Sequence, residues 1–116
     1  MNMIINDRIM PDGDTDSISI EMLREIVKPI AERNRIVHVR LFGSRARGEY
    51  SNDSDYDFLI DAAPDVSLLQ MGCFSEELEE ALGRPVSLAD ETMVSDVFMR
   101  SIKEDLIEIY SSNPQN

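Results

Sequence analysis

Residues 36–42, Ile-Val-His-Val-Arg-Leu-Phe, stop at Gly43, and an apolar run resumes at Tyr56-Asp57-Phe58-Leu59-Ile60, entered through Asp55. β-Branched and aromatic residues with glycine punctuation mark two short strands. Between them lie a short helical or turn segment closed by Gly48, Ser44-Arg45-Ala46-Arg47, and a polar loop, Glu49-Tyr50-Ser51-Asn52-Asp53-Ser54. Side chains alternate along a strand, so Asp55 and Asp57 are expected on one face, with Tyr56 on the other. His38 and Arg40 alternate with Val37, Val39 and Leu41, which gives the first strand one drier face and places His38 on the wetter one.

Helical spacing surrounds this pair. Ile20, Leu23, Val27 and Ile30 recur on one side of a segment that Ser17 could cap, with Pro29 as a kink or a mark of its last turns. A second helix is expected over residues 67–82, capped by Ser67 or Asp65, striped by Met71, Phe74, Leu78 and Leu82, and ended by Gly83. Its run Glu76, Glu77, Glu79, Glu80 reads as a solvated face. Pro85-Val86-Ser87-Leu88-Ala89 reads as a third strand. A last helix is expected within residues 93–110, with Ile102, Leu106 and Ile109 or Tyr110 turned inward. The class is α/β (α+β): a short mixed sheet of about three to four strands flanked by helices. The domain is expected over residues 17–110, with residues 1–16 as an N-terminal extension and 111–116 as a flexible tail.

Composition removes other classes. A chain of 116 residues suits one core. Eleven Lys and Arg against twenty-three Asp and Glu argue against a nucleic-acid or anionic-membrane surface. Cys73 and His38 are each the single residue of their type, which excludes an internal disulfide, a cysteine zinc cluster and any site of several imidazoles. With no long apolar run and no secretory pattern at the start, the expected compartment is the cytoplasm.

The chemistry concentrates between residues 43 and 57. Two carboxylates on one face repel unless a cation lies between them. Oxygen donors favour Mg²⁺ or Mn²⁺, and Mg²⁺ commonly takes one or two carboxylates together with substrate phosphates. Glycine lets a phosphate approach the backbone at Gly43, where the Ser44 hydroxyl and the following amides can donate to it. Arg45 or Arg47 could clamp phosphate oxygens bidentately, or simply pair with neighbouring acids. The spacing is neither that of a P-loop nor that of a dinucleotide fingerprint.

Taken together, Leu41-Phe42-Gly43-Ser44-Arg45-Ala46-Arg47-Gly48-Glu49 followed by Ser54-Asp55-Tyr56-Asp57-Phe58-Leu59-Ile60 resembles the signature of the minimal nucleotidyltransferases. These are small members of the DNA polymerase beta-like superfamily, and the likeness covers about residues 17 to 110. It implies triphosphate binding at Gly43 and Ser44 and divalent metal at Asp55 and Asp57. It also implies the role of antitoxin to a HEPN-type ribonuclease toxin, moving AMP from ATP onto a tyrosine hydroxyl of that partner. One position departs from the pattern. The family's third strand usually reads Val-Asp-Leu, but here it is Val86-Ser87-Leu88, with serine in place of the third acid. Asp90 could reach back, a partner carboxylate or Ser87 with water could serve, or the protein could be a catalytically impaired homologue that neutralises its partner by binding. Exposed apolar surface on the terminal helix could serve self-association or the partner. Neither a membrane nor direct nucleic-acid binding is expected.

Overall fold

The computed structural model describes residues 18–112. Helix α1 (Ile20–Arg33) starts at Ser19, whose side chain accepts from the Met22 amide. Ser17 and the N-terminal extension lie outside the described residues. Pro29 sits inside α1, which continues to Arg33. Strand β1 (Ile36–Phe42) leads into the short α2 (Ser44–Arg47), and β2 (Tyr56–Ala62) follows the polar loop. Helix α3 (Leu68–Leu82), capped by Ser67 and closed by Gly83 in the left-handed conformation, connects β2 to β3 (Val86–Asp90). Among the described residues the last elements are α4 (Asp96–Ile102) and β4 (Ile107–Ser111).

The expectation of a helix reaching Tyr110 is corrected by this last strand. Ile107-Glu108-Ile109-Tyr110 alternates apolar and polar at first and is rich in β-branched residues, and the free edge of β1 supplies hydrogen-bond partners that a helix would leave unused. Ser111, expected in the tail, closes β4, and the Ser112 amide donates to the Val37 carbonyl.

The sheet order is β3-β2-β1-β4. β1 is antiparallel to β2 and β4, whereas β2 and β3 run parallel and need the α3 crossover. Alternation then sorts the side chains. Val39, Leu41, Tyr56, Phe58, Ile60 and Ile109 join Leu23, Val27, Phe74 and Leu78 in one core beneath α1 and α3. A register shift between Val39 and Arg40 on the β1–β4 pairing brings both Ile109 and Tyr110 to that core. Asn34, buried where α1 ends, donates to the Ile30 carbonyl and Glu77 and accepts from Gln70, which ties α1 to α3.

The opposite face is wetter. His38 pairs with Glu108 at 2.8 Å and Arg40 with Glu91 at 2.6 Å. The Phe42–Phe98 edge-to-face pair and the buried Leu59 give it some apolar surface. Asp57 belongs to this face, as the neighbour of Phe42 across the strands.

Candidate nucleotide and metal site

β1 ends beside β2 with Phe42 opposite Asp57, so the next residue, Gly43, lies against the acid-bearing end of β2. Its φ of 80° and ψ of −161° fall in a region that is essentially glycine-only. A Cβ there would run into the Asp57 carboxylate, 3.2 Å from its Cγ. The Gly43 carbonyl accepts the Ala46 and Arg47 amides at 3.0 and 3.1 Å, and no side chain caps the turn. Bare backbone and a carboxylate therefore meet at one corner, with Ser44 the next residue along the chain.

Asp55 is exposed immediately before β2, whereas Asp57 is half-buried within it. Burial, and secondarily the charge of Asp55, push the Asp57 carboxyl above its usual range, and Arg47 pulls against both. Arg47 itself donates to Glu49 and to Asp105, each at 2.9 Å, and the Glu49 bond is the larger cause of its raised pKa.

Arg45 goes elsewhere. It is buried, and its guanidinium donates to the Ser54 carbonyl at 2.9 Å and lies over the rings of Tyr50 and Tyr56. Of the two arginines expected as a phosphate clamp, Arg47 acts on the charge of Asp57 while paired with Glu49 and Asp105, and the Arg45 fork is occupied by the loop.

The parallel register sets Ser87 directly beside Asp57. Asp90 pairs with Ile60 farther along β3 and, three residues on, falls on the opposite strand face. Its Oδ1 accepts from the Thr92 amide and hydroxyl. It does not reach back to the site. Among the described residues, no three His, Cys, Asp or Glu side chains gather where a metal could sit. A carboxylate against the glycine turn, with a second acid two residues before it, still suits a hard cation that would take its remaining oxygens from phosphate and water.

Sequence reasoning missed Asp105 and Glu49 as holders of Arg47, and the two tyrosines around Arg45. Asp105 is distant in sequence and reaches Arg47 only because β4 returns along β1. The alternating residues after Leu106 were the signal that could have found that return.

The chain matches the family model described as polymerase beta, nucleotidyltransferase, over residues 24–115. A Methanocaldococcus jannaschii protein with a provisional protein-adenylyltransferase name is 36% identical over 90 residues, covering 77% of this chain and 92% of its own. The protein adenylyltransferase MntA of Thermococcus cleftensis is 30% identical over 82 residues, covering 71% and 83%. A solved structure provisionally described as a minimal nucleotidyltransferase superposes with a TM-score of 0.67 at 32% identity, covering 78% of this chain and 95% of that one. A toxin–antitoxin complex crystallised with AMP-PNP shares the fold, with a TM-score of 0.66 at 21% identity over 78% and 74%. No helix among the described residues is long and apolar enough to cross a membrane. The chain belongs to the polymerase beta nucleotidyltransferase family, among its minimal members.

Proposed function

We propose that this protein is an antitoxin-type nucleotidyltransferase homologue that keeps an ATP–Mg²⁺ site, is impaired in AMP transfer, and restrains a HEPN-type ribonuclease partner by binding it. The observation that carries the reading is the Asp57–Ser87 pairing across β2 and β3. The family pattern expects a third acid there. A serine hydroxyl neither offsets cation charge nor acts as a strong base toward an attacking hydroxyl.

In this reading Gly43 and Ser44 receive the triphosphate, Arg47 faces its charge, and Asp55 and Asp57 hold Mg²⁺ or Mn²⁺. When bound, the ion would neutralise phosphate charge and polarise the phosphoryl oxygens. The relatives' adenylyltransferase names and the toxin–antitoxin neighbour support the setting. The net charge of −12 suits a basic partner whose RNA path it would cover.

The test mixes the protein with ATP, Mg²⁺ and its ribonuclease partner, and follows the partner's mass and RNA cleavage. Cleavage should stop with no added AMP. Ser87→Asp should restore AMP transfer by about 100-fold or more, the size of a positioned acid–base group. Asp57→Ala should still silence the ribonuclease when folded. Rapid AMP addition by the unaltered protein would overturn this reading. It would install the second one, supported by the retained Asp55 and Asp57, in which a partner tyrosine oxygen attacks the α-phosphorus of ATP and pyrophosphate leaves.

A further inference from the structure

We infer that Arg45 is a positioning residue that fixes the Asp55-bearing loop against the Gly43–Ser44 turn, and so sets cation affinity without contacting the triphosphate. The inference rests on the nucleotide–metal reading above.

The two acids are not held alike. Asp57 lies within β2, where ladders to β1 and β3 fix its backbone. Asp55 precedes the strand and is exposed, so its carboxylate goes where the 48–55 loop puts it. That loop has little structure of its own. Ser54 donates its amide to the Ser51 carbonyl at 3.1 Å, the Ser51 amide reaches the Ser54 hydroxyl at 3.0 Å, and the Asp53 amide reaches the Ser51 hydroxyl at 3.3 Å. These bonds close a local turn between two anchored ends, where the Glu49 amide donates to the Ser44 carbonyl at 2.9 Å and the Tyr56 amide to the Pro85 carbonyl at 3.0 Å. An Asp53–Arg84 contact of 4.0 Å involves an almost fully exposed carboxylate and anchors weakly.

Arg45 holds the stretch between those ends, residues 51–54. Its backbone lies in α2, one residue beyond Ser44, and the residue is only 7% exposed. Nε donates to the Ser54 carbonyl at 2.9 Å, the carbonyl just before Asp55. One terminal nitrogen reaches the Ser51 and Asn52 carbonyls, each at 3.4 Å, and the other the Tyr56 hydroxyl at 3.3 Å. The guanidinium carbon lies 4.7 Å from the Tyr50 ring centre and 4.2 Å from that of Tyr56. A planar fork can satisfy several carbonyls and stack on rings at once, whereas a lysine ammonium is a point charge without that shape. One side chain therefore joins the phosphate turn to the residue before the first acid. A cation shared by two carboxylates is sensitive to their separation, so loosening this joint should weaken metal more than nucleotide.

The test uses Arg45→Lys and Arg45→Gln in the full chain, beside the unaltered protein and Asp57→Asn. Mn²⁺ affinity with saturating AMP-PNP is read by electron paramagnetic resonance. AMP-PNP affinity in EDTA is read by calorimetry, and exchange of the Ser54 amide by NMR. Both Arg45 variants should lose about tenfold in Mn²⁺ affinity, keep metal-free nucleotide affinity within about twofold, and exchange the Ser54 amide faster. Should Arg45→Gln fail to fold, Tyr50→Ala, which removes a half-exposed ring, should give a smaller loss in the same direction. Undiminished Mn²⁺ affinity in folded Arg45→Lys would overturn the inference. So would metal-free nucleotide affinity that falls with the lost charge of Arg45→Gln yet survives in Arg45→Lys, because that pattern marks a phosphate contact. Failure of the unaltered protein to bind Mn²⁺ with AMP-PNP, or equal binding by Asp57→Asn, would instead overturn the nucleotide–metal reading itself.

Discussion

Strand β1 is entered and left through residues with positive φ, and the two ends use that conformation differently. At the entry stands Arg35, φ 61°, just beyond the Asn34 cap of α1. At the exit stands Gly43, φ 80°. Left-handed backbone just past a helix cap favours glycine but accepts other residues at a modest cost. The Gly43 conformation accepts essentially none, and the space a side chain would need is filled by Asp57. The entry is a turn with a solvent-facing side chain, more than half exposed in its contact with Asp65. The exit is a turn shaped around a carboxylate. Similar φ values thus mark a tolerated strain at one end and a site at the other.

Gly43→Ala should break the comparison hardest. The added methyl forces both a backbone change and displacement of Asp57, so stability should fall by about 1–3 kcal/mol and Mn²⁺–AMP-PNP binding should be lost. Urea unfolding and calorimetry check the two effects. Combining it with Asp57→Ala should recover part of the stability, because the methyl then has room. Strict additivity of the two substitutions would show that glycine and acid are not in contact.

Asp57→Asn sharpens the same end with the opposite sign. Burial first, and then Asp55, raise the folded-state pKa of this carboxyl above 3.8, its ordinary value. Between those two values the folded protein holds a proton that the unfolded chain releases, so stability falls as pH rises through that window and stays lower above it. In EDTA at neutral pH, Asp57→Asn should therefore be more stable than the unaltered protein, by less than about 1 kcal/mol since the group is partly solvated. The acidic slope should flatten in parallel, while Mn²⁺ binding disappears. Thermal melts between pH 3 and 7 read both, and an asparagine variant less stable at neutral pH would show that Asp57 is not strained without metal.

Much of this corner was legible in the sequence because its signals are local. Gly43 ends a β-branched run, and the two-residue spacing of Asp55 and Asp57 marks them as a pair, although Asp55 lies just before β2, where strand alternation does not hold it. The α3 cap at Ser67 and its stop at Gly83 are equally local. The joint made by Arg45 was not legible. A Ser-Arg-Ala-Arg run presents two equivalent forks, and only the fold sends one into the loop and the other to Asp105. β4 was hidden for a related reason. Ile102, Leu106, Ile109 and Tyr110 satisfy helical spacing, and the pairing that decides against it comes from β1, more than sixty residues earlier. Ser87 stood out in sequence only against the family pattern, and its place beside Asp57 required the parallel register.

The smallest effect belongs to the entry of β1. Arg35 holds its left-handed backbone while its side chain reaches Asp65 at 2.7 Å and holds that carboxyl below its usual range through their hydrogen bond. Arg35→Gly relieves the backbone, loses an exposed pair, and frees the unfolded chain. Arg35→Ala loses the same pair without relief. The glycine variant should be the more stable of the two by about 1 kcal/mol, near or slightly above the unaltered protein, and both should keep full Mn²⁺–AMP-PNP affinity. Equal urea midpoints for the two variants would show that the backbone at residue 35 carries no strain. A loss of nucleotide binding in either would mean that the two ends of β1 are mechanically coupled, and the contrast between turn and site would no longer hold.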